Sequence, residues 1–453
     1  MSLRNSFMRI GAVGELFGTD GVRGIANEEL TPEMALDLGR VIGTFKPGRI
    51  AVGCDTRISS DMLKSAVLAG IMSTGSDAID LGVAPTPAIQ FYIKETDCTA
   101  GVAVTASHNP KEYNGIKFLQ DFGTEFFREM DEECERIYKS KTFKIASWKD
   151  VGRLHRDDCK EMYVNAIVDS IEIDKKYRVV VDCGNGASYL TSPEILKRLD
   201  CDVLSINSSP DGRFPARSPE PVEENLDLLK KMVVEFKADI GVAHDGDADR
   251  AVFVDENGNF VSEDVVLALM AKYYVEKNRG GIVVTPVSSS KCVEDVVKEA
   301  GGEVVYTQVG SPVVAKVMLE KNAVFGGEGN GGLIFPEHLL ARDGGMAIAK
   351  VLQLMDETGK KLSELASEIP KYHMIKGKVP CRDKIKLLEG LRREFPDANF
   401  VDGARIDYED GWLLVRPSGT EPIARIFAEG KTKERAEELY NLGLKTVKKI
   451  LET

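Results

Sequence analysis

The stretch Thr105-Ala106-Ser107-His108-Asn109-Pro110 ends an apolar run at residues 101–104. This pattern predicts a buried strand that leads into an exposed loop. In open α/β sheets, ligands bind at the loops that follow the carboxyl ends of the strands, so Ser107 is a candidate for chemistry. A serine that only hydrogen-bonds within a turn has the same local sequence, and this stretch alone favours that simpler interpretation.

Apolar strand-like runs alternate with helical segments over most of the chain. The alternation begins again at residue 178 and at residue 281, and each unit closes with an apolar run that enters a polar loop. Such a pattern predicts an α/β fold with largely parallel sheets and helices on their faces. The last segment differs, because residues 406–415 resemble a hairpin with an Asp410-Gly411 turn, so we predict three similar α/β units and a C-terminal α+β domain.

The composition excludes several classes of protein. A chain of 453 residues exceeds a single core, and a formal net charge of −13 disfavours nucleic acid and anionic membranes as partners. The eight cysteines form no C-x-x-C pair, which argues against a zinc site and against a disulfide framework. The sequence shows no signal-peptide core and no apolar run of membrane length, so we expect a cytoplasmic protein. A local cluster of arginines and lysines could still attract a small anionic substrate.

Three carboxylates alternate along the polar loop Asp245-Gly246-Asp247-Ala248-Asp249-Arg250. Like charges at this spacing raise one another's pKa unless a cation binds, and oxygen ligands select Mg²⁺, Mn²⁺ or Ca²⁺. An EF-hand is disfavoured, because Arg250 stands where that loop needs glycine and an apolar run follows at residues 251–254. A solvated acidic loop without a metal is the simpler alternative.

Further polar loops suggest a site for a phosphorylated sugar. The stretch Arg416-Pro417-Ser418-Gly419-Thr420-Glu421-Pro422, with Arg425 just beyond it, combines guanidiniums, hydroxyls and a glycine amide, as a phosphate site does. Glu328 and Asn330, between glycines, suit sugar hydroxyls. Arg23 lies in an early glycine-rich loop and could present a cation. For residues 416–425 the alternative is an ordinary basic loop, and for the Arg23 loop it is a plain turn.

These loops, in this order, resemble those of the α-D-phosphohexomutase superfamily, which comprises phosphoglucomutases, phosphomannomutases and phosphoglucosamine mutases. The resemblance extends from Phe17-Gly18-Thr19-Asp20-Gly21 to Arg425, nearly the whole chain. It implies four domains around a central cleft. We therefore expect a phosphoserine domain at 1–155, a metal-binding domain at 156–257, a sugar-binding domain at 258–370 and a phosphate-binding domain at 371–453.

The resemblance also implies roles for individual residues. Ser107 would carry a phosphoryl group and would bind one Mg²⁺ together with Asp245, Asp247 and Asp249. Arg23 and Lys117 would stabilise the moving phosphoryl, with Lys117 a possible acid or base, and His108 would orient the loop. A hexose 1,6-bisphosphate would be the intermediate and activator. The residues expected to bind substrate are Arg250, Thr307, Gly310, Glu328, Asn330, Arg416, Ser418, Gly419, Thr420 and Arg425.

The sugar loop departs from the family pattern. Many bacterial relatives have G-E-x-S-G-H, where this chain has Asn330 in place of the serine and Gly332 in place of the histidine. Any proton transfer by that histidine must be performed elsewhere or is absent, and Gly329 is expected to enlarge the pocket. The opening F-G-T-D-G-V-R-G is most similar to that of phosphoglucosamine mutases.

The expected reaction therefore converts glucosamine 6-phosphate to glucosamine 1-phosphate. The same chemistry on mannose or glucose phosphates is the closest alternative. A Mg²⁺-dependent sugar phosphatase and a non-catalytic phosphosugar-binding protein are the rivals from other classes. The expected partner is a small phosphosugar, with no nucleic acid and no membrane, and the resemblance is compatible with a homodimer.

Overall fold

Local signals at element ends explain where the first helices and strands begin. Thr31 caps a helix by accepting a hydrogen bond from the backbone amide of Met34 at 3.3 Å, and Pro32 occupies the first helical position.

The computed structural model describes residues 16–18, 21–418 and 422–452. Thr19, Asp20, Gly419 and Thr420, which belong to two of the predicted motifs, lie outside the described residues.

The first unit is a six-stranded mixed sheet with four helices. Its strands are β1 (Val22–Ile25), β2 (Arg49–Cys54), β3 (Asp77–Val83), β4 (Ala100–Val104), β5 (Tyr113–Gln120) and β6 (Leu154–Arg156). Its helices are α1 (Pro32–Phe45), α2 (Ser60–Ser73), α3 (Thr86–Glu95) and α4 (Arg128–Ser140). The strand order is β1-β5-β4-β2-β3-β6, and β5 runs antiparallel to both of its neighbours while the other pairs are parallel.

The second and third units each contain a five-stranded sheet with a parallel centre and antiparallel strands at one edge. The second comprises α5 (Lys160–Asp169), β7 (Arg178–Asp182), α6 (Ser192–Arg198), β8 (Asp202–Ile206), α7 (Asp227–Phe236), β9 (Ile240–His244), β10 (Ala251–Asp255) and β11 (Phe260–Val261). The third comprises α8 (Glu263–Asn278), β12 (Ile282–Pro286), α9 (Lys291–Glu299), β13 (Glu303–Thr307), α10 (Ser311–Lys321), β14 (Phe325–Glu328), β15 (Gly332–Phe335), β16 (Leu339–Arg342), α11 (Gly344–Thr358) and α12 (Leu362–Ser367). The strand orders are β11-β10-β9-β7-β8 and β13-β12-β14-β15-β16.

The fourth unit is an antiparallel sheet of four strands with two helices. It contains β17 (His373–Pro380), α13 (Lys384–Glu394), β18 (Ala404–Tyr408), β19 (Gly411–Pro417), β20 (Ile423–Gly430) and α14 (Lys433–Glu452). The strand order is β17-β20-β19-β18. The prediction of three α/β units with mixed sheets and a C-terminal α+β domain is confirmed. The exact boundaries stay predictions, and β11 joins the second sheet although it lies beyond residue 257.

The hairpin in the fourth unit is present, but the predicted Asp410-Gly411 turn is wrong by one residue. Tyr408 pairs with Gly411, so Glu409 and Asp410 form the loop and Gly411 begins β19. A Cβ on Gly411 would lie 2.1 Å from the carbonyl oxygen of Glu429 on β20. This glycine therefore allows two strands to approach closely and does not serve the turn.

Buried contacts join the first three units. One apolar cluster contains residues from each of them, including Phe91, Tyr163 and Phe335. The Tyr163 hydroxyl donates to Asp343 Oδ1 at 2.5 Å, and Phe91 stacks on His338 with ring centroids 4.6 Å apart. Among the described residues, none of the helices combines the length and the apolar character needed to cross a bilayer.

Arg405 joins the fourth unit to the third. Its side chain is buried, and Nη1 donates to the carbonyl oxygens of Val287 at 2.6 Å and Ser289 at 3.2 Å. The guanidinium also lies 4.4 Å from the Tyr306 ring centroid and 4.3 Å from that of Trp412. Both aromatic contacts are within cation–π range.

We expect Arg405→Met to loosen this junction, because it leaves two buried carbonyl oxygens without their donor. The expected cost is about 1–3 kcal/mol. Amide hydrogen exchange at residues 287–289 should accelerate, and the thermal midpoint should fall. Arg435→Met is the matched control, since Arg435 pairs with Asp410 inside the fourth unit. Equal exchange at residues 287–289 in both variants would show that Arg405 does not hold the junction.

Candidate active site

Ser107 lies in the loop between β4 and β5, as the sequence pattern predicts, and this loop is exposed at residues 110–112, but Ser107 itself is buried. Its exposed fraction is 0% because the loop containing Gly246 covers it. A Cβ on Gly246 would lie 2.7 Å from the Ser107 carbonyl oxygen, so a glycine is needed where the first and second units meet. The φ angle of Ser107 is +52°, a left-handed conformation that costs a non-glycine residue about 1 kcal/mol.

The backbone around Ser107 is held by Arg57, which follows β2 and is itself buried. Asp55 Oδ2 accepts from Arg57 Nε at 3.0 Å and orients the guanidinium. The guanidinium donates to four loop carbonyl oxygens, those of Ser107 (2.8 Å), Asn109 (2.8 Å), Pro110 (2.7 Å) and Tyr113 (2.9 Å). These bonds hold the loop in the strained conformation.

The three aspartates predicted to bind a metal are brought together. One carboxylate oxygen from each of Asp245, Asp247 and Asp249 lies within 4.8 Å of the others, and all three side chains are buried. The Ser107 hydroxyl donates to Asp245 Oδ2 at 2.6 Å, and the Thr86 hydroxyl donates to Asp247 Oδ2 at 2.7 Å. The loop of the second unit therefore faces the serine of the first.

The electrostatics of this cluster fit a divalent cation. Burial, and then the neighbouring Asp249 and Asp247 carboxylates, raise the pKa of Asp245 well above its ordinary value. Burial and Asp249 likewise raise the pKa of Asp247. Asp247 Oδ1 is buried and has no hydrogen-bond partner among the described residues. An unsatisfied oxygen within a set of hard oxygen donors is what a Mg²⁺-type ion requires.

Lys117 supplies positive charge from the first unit. Lys117 is buried, with an exposed fraction of 1%. Its Nζ lies 3.8 Å from Asp247 Oδ2 and 3.7 Å from Asp249 Oδ2. It also lies 3.4 Å from Glu125 Oε1, and Glu125 Oε2 accepts from the Ser311 hydroxyl at 2.6 Å. Lys117 thus partly offsets the acid cluster of the second unit, while its neighbour Glu125 contacts the third unit.

His108 is placed beside the serine as a neutral ring. Its Nδ1 lies 3.3 Å from Ser107 Oγ. Burial, followed by the positive charges of Arg250 and Arg23, lowers the pKa of His108 to about 2. A ring with so low a pKa is a poor proton acceptor, which supports the predicted orienting role over direct proton transfer.

A cavity of about 430 Å³ opens beside the Ser107 loop. Three guanidiniums and one carboxylate line its wall, so it offers charged hydrogen-bond donors to an anionic ligand, while the buried aspartates behind the wall balance two of the guanidiniums. Cavities of about 530 and 650 Å³ elsewhere contain none of the predicted site residues. The lining residues are Leu16, Gly18, Gly21, Arg23, His108, Asn109, Arg250, Val309, Gly310, Ser311, Glu328, Asn330 and Arg342.

Thr307 and the described residues of the predicted phosphate site do not line this cavity. Thr307 is buried, and its hydroxyl donates to the Gln308 carbonyl oxygen. Arg416 is paired with Arg425 across β19 and β20, and Ser418 closes the end of β19 by donating its amide to Ile423. The structure thus places the arginines side by side on the fourth unit.

A carboxylate connects Arg416 to the cavity wall. Asp402 Oδ2 lies 2.9 Å from Arg416 Nη2 and accepts from the amide of Val309, a lining residue, at 3.1 Å. The predicted phosphate site therefore adjoins the cavity through this contact.

The predicted sugar loop lies in the cavity wall, but the expectation that Gly329 enlarges the pocket is wrong. Glu328 and Asn330 both line the cavity, and Glu328 Oε1 accepts from the Gly310 amide at 3.3 Å. A Cβ on Gly329 would lie 2.3 Å from Asp264 Oδ1. The Asp264 carboxylate fills the space that the missing side chain leaves.

Four residues of the site were not predicted. Arg57, Thr86, Glu125 and Arg342 each contact a predicted site residue. Arg57 and Arg342 follow or end apolar strands, so their positions at strand termini were the available signal. Thr86 and Glu125 carry no comparable signal, because their partners come from loops far away in sequence.

Comparisons with known proteins agree with this geometry. Four family models match, described as phosphoglucomutase/phosphomannomutase alpha/beta/alpha domains I (residues 14–145), II (161–258) and III (262–372), and the C-terminal domain (374–441). The matches together cover most of the chain and follow the order of the four sheets.

Two relatives match along essentially their whole length. A phosphoglucomutase/phosphomannomutase of Thermococcus kodakarensis is 46% identical over 97% of this chain and 100% of that protein. A probable phosphoglucosamine mutase of Pyrococcus abyssi is 46% identical over 96% of this chain and 98% of that protein.

A solved structure shares the whole architecture. The X-ray structure of a phosphoglucomutase/phosphomannomutase family protein from Burkholderia thailandensis superimposes with a TM-score of 0.88 and 26% identity, covering 96% of this chain and 98% of that one. With four domain models, full-length relatives and this fold in agreement, the chain belongs to the phosphoglucomutase/phosphomannomutase family of α-D-phosphohexomutases.

Proposed function

We propose that this phosphohexomutase transfers a phosphoryl group between the 6- and 1-positions of glucosamine phosphate through phospho-Ser107 and a bisphosphate intermediate. The observation that carries the proposal is the placement of Ser107 Oγ 2.6 Å from Asp245, beside the cluster of three aspartates and a cavity lined by three guanidiniums. A phosphoserine adds about −1.5 to −2 charge, so it needs such a cation site next to it.

The residues around Ser107 have separate roles in phosphoryl transfer. Asp245, Asp247 and Asp249 would hold one Mg²⁺, which supplies positive charge against the phosphoryl oxygens. Lys117 and Arg23 stabilise the phosphoryl group during its transfer. Arg23 is positioned by donating a hydrogen bond to Asn109 Oδ1 at 2.5 Å.

The reaction consists of two transfers. In the first, the bond from phosphorus to Ser107 Oγ breaks while a bond to the oxygen of the free sugar hydroxyl forms; that hydroxyl loses its proton, and Ser107 Oγ ends the step protonated. In the second, the bond from the other phosphorus of the bisphosphate to its sugar oxygen breaks while a bond to Ser107 Oγ forms; the serine loses its proton, and the sugar oxygen gains one and becomes a hydroxyl. Because the serine is fixed by Arg57, the intermediate must turn end for end between the two steps.

The guanidiniums explain why a mutase is favoured over a phosphatase. Arg416 and Arg425 lie together on the fourth unit, where they could hold whichever phosphate is not reacting. A hydrolase would not need to hold the second phosphate. Relatives at 42–46% identity carry the name probable phosphoglucosamine mutase, which supports glucosamine phosphate. The phosphoglucomutase/phosphomannomutase of Thermococcus kodakarensis supports glucose or mannose phosphate as the alternative.

We expect the purified protein to carry substoichiometric phosphate on Ser107. Intact-mass measurement should show a second species heavier by one phosphoryl group, and Ser107→Ala should lack that species and have no mutase turnover. Ser65→Ala, at an exposed position of α2, is the control and should retain both. Phosphate that persists in Ser107→Ala would disprove the assignment.

Removal of divalent metal should abolish turnover, and Mg²⁺ should restore it best. Binding should stabilise the fold by about 2.7 kcal/mol at a hundredfold excess of Mg²⁺ over Kd. Protons compete for Asp245 and Asp247, whose pKa values are raised, so Mg²⁺ should raise the thermal midpoint more at pH 8 than at pH 5. The shift should vanish in Asp247→Asn and persist in the exposed control Asp97→Asn. Full activity in excess chelator would contradict the metal site.

Glucosamine 6-phosphate should give the highest kcat/KM in a panel that also contains mannose and glucose phosphates. Turnover should need priming by a hexose 1,6-bisphosphate when Ser107 is unphosphorylated. A higher kcat/KM for mannose 1-phosphate or glucose 1-phosphate would favour the alternative substrates. Release of free phosphate without a sugar phosphate product would identify a phosphatase instead.

A further inference from the structure

Arg342, the last residue of β16, lies in the wall of the cavity although its side chain is 5% exposed. Its neighbour across the sheet is Ile334 of β15, so it rises from the third sheet next to the sugar loop. A guanidinium at this depth needs acceptors, because burying an unpaired charge is costly.

Two carboxylates from different units accept hydrogen bonds from this one guanidinium. Nη2 donates to Asp249 Oδ2 at 2.6 Å, and Nη1 donates to Glu328 Oε2 at 3.0 Å. Asp249 belongs to the metal cluster and Glu328 to the sugar loop. Arg342 therefore places a positive charge between two buried acids that would otherwise repel each other, and its planar fork can serve both at once.

Gly332 leaves the space through which this side chain runs. A Cβ on Gly332 would lie 2.2 Å from Cδ of Arg342 and 3.0 Å from its Cγ. Any other residue at this position would push the arginine out of its place. The absence of a side chain at Gly332, which the sequence alone left unexplained, is thus matched to the presence of Arg342.

We propose that Arg342 is a positioning residue that couples the metal cluster to the sugar site. It holds Glu328 in the orientation in which the carboxylate meets sugar hydroxyls, and it orients Asp249 within the metal cluster. Gly332 is required because it makes room for Arg342. The inference rests on the proposed function, since it assigns sugar binding to the cavity that contains Glu328.

The test compares Arg342→Met, Arg342→Lys, Gly332→Ala and the double variant Gly332→Ala/Arg342→Met. The methionine retains most of the length of the side chain but has no donors. KM for the sugar phosphate should rise about 10- to 100-fold in Arg342→Met, the range for a lost hydrogen bond to a charged group. Kd for Mn²⁺ should rise as well. Arg342→Lys should recover part of the loss, because it retains the charge but not the fork.

The double variant separates this mechanism from a general loss of packing. Gly332→Ala should raise KM as Arg342→Met does, because it displaces the same guanidinium. In the double variant the two effects should not multiply, since the arginine is already gone. Multiplying effects, or an unchanged KM in Arg342→Met, would overturn the proposal.

Phosphoserine content and mutase turnover of the wild-type protein are measured first. These two measurements test the proposed function and do not depend on the role of Arg342. The thermal midpoints of the four variants provide a second readout that needs no activity. Gly332→Ala should lower the midpoint in the wild-type background and have less effect in the background of a fifth variant, Arg342→Ala, which lacks the Cγ and Cδ atoms that the new Cβ would meet. An equal fall in both backgrounds would show that Gly332 does not make room for Arg342.

Discussion

The guanidinium of Arg57 holds the four carbonyl oxygens of the Ser107 loop, and the geometry of the site depends on this contact. It keeps a non-glycine residue at a φ angle of +52° and turns the serine hydroxyl toward the second unit. Arg57 also lies 5.3 Å from the ring centroid of Phe214, a residue of the second unit. The same side chain therefore shapes the loop and contacts the domain across from it.

Charge balance organises the remainder of the site. The second unit contributes a buried cluster of three carboxylates together with Arg250, whose Nε lies 3.9 Å from Asp245 and from Asp249. Further cations come from the other units: Lys117 from the first and Arg342 from the third. The cavity beside them is lined by more guanidiniums than carboxylates. Guanidiniums from the first three units thus face the cavity of an acidic protein, and buried carboxylates balance part of their charge.

Sequence patterns predicted what is local. Apolar runs that end in polar loops located the strands, the Ser107 loop, the aspartate cluster and the sugar loop, because parallel strands bring their carboxyl ends to one edge of a sheet. The sequence patterns gave wrong predictions where a residue distant in sequence determines the local packing. Gly329 suggested open space, but Asp264 fills it, and Gly411 suggested a turn, but β20 approaches it. The burial of Ser107 could not be predicted either, because the covering loop lies more than a hundred residues away.

The distribution of these charges also bears on how the chain folds. Asp245, Asp247 and Asp249 follow one strand of the second unit, so an isolated second unit would present three carboxylates at one strand end, with Arg250 of the same loop beside them. Lys117 arrives only when the first unit docks, and Arg342 only with the third. Domains of a large chain fold as units and then assemble, so their mutual repulsion is relieved at the docking step. The charges of Lys117 and Arg342 therefore favour the arrangement of the domains that completes the site.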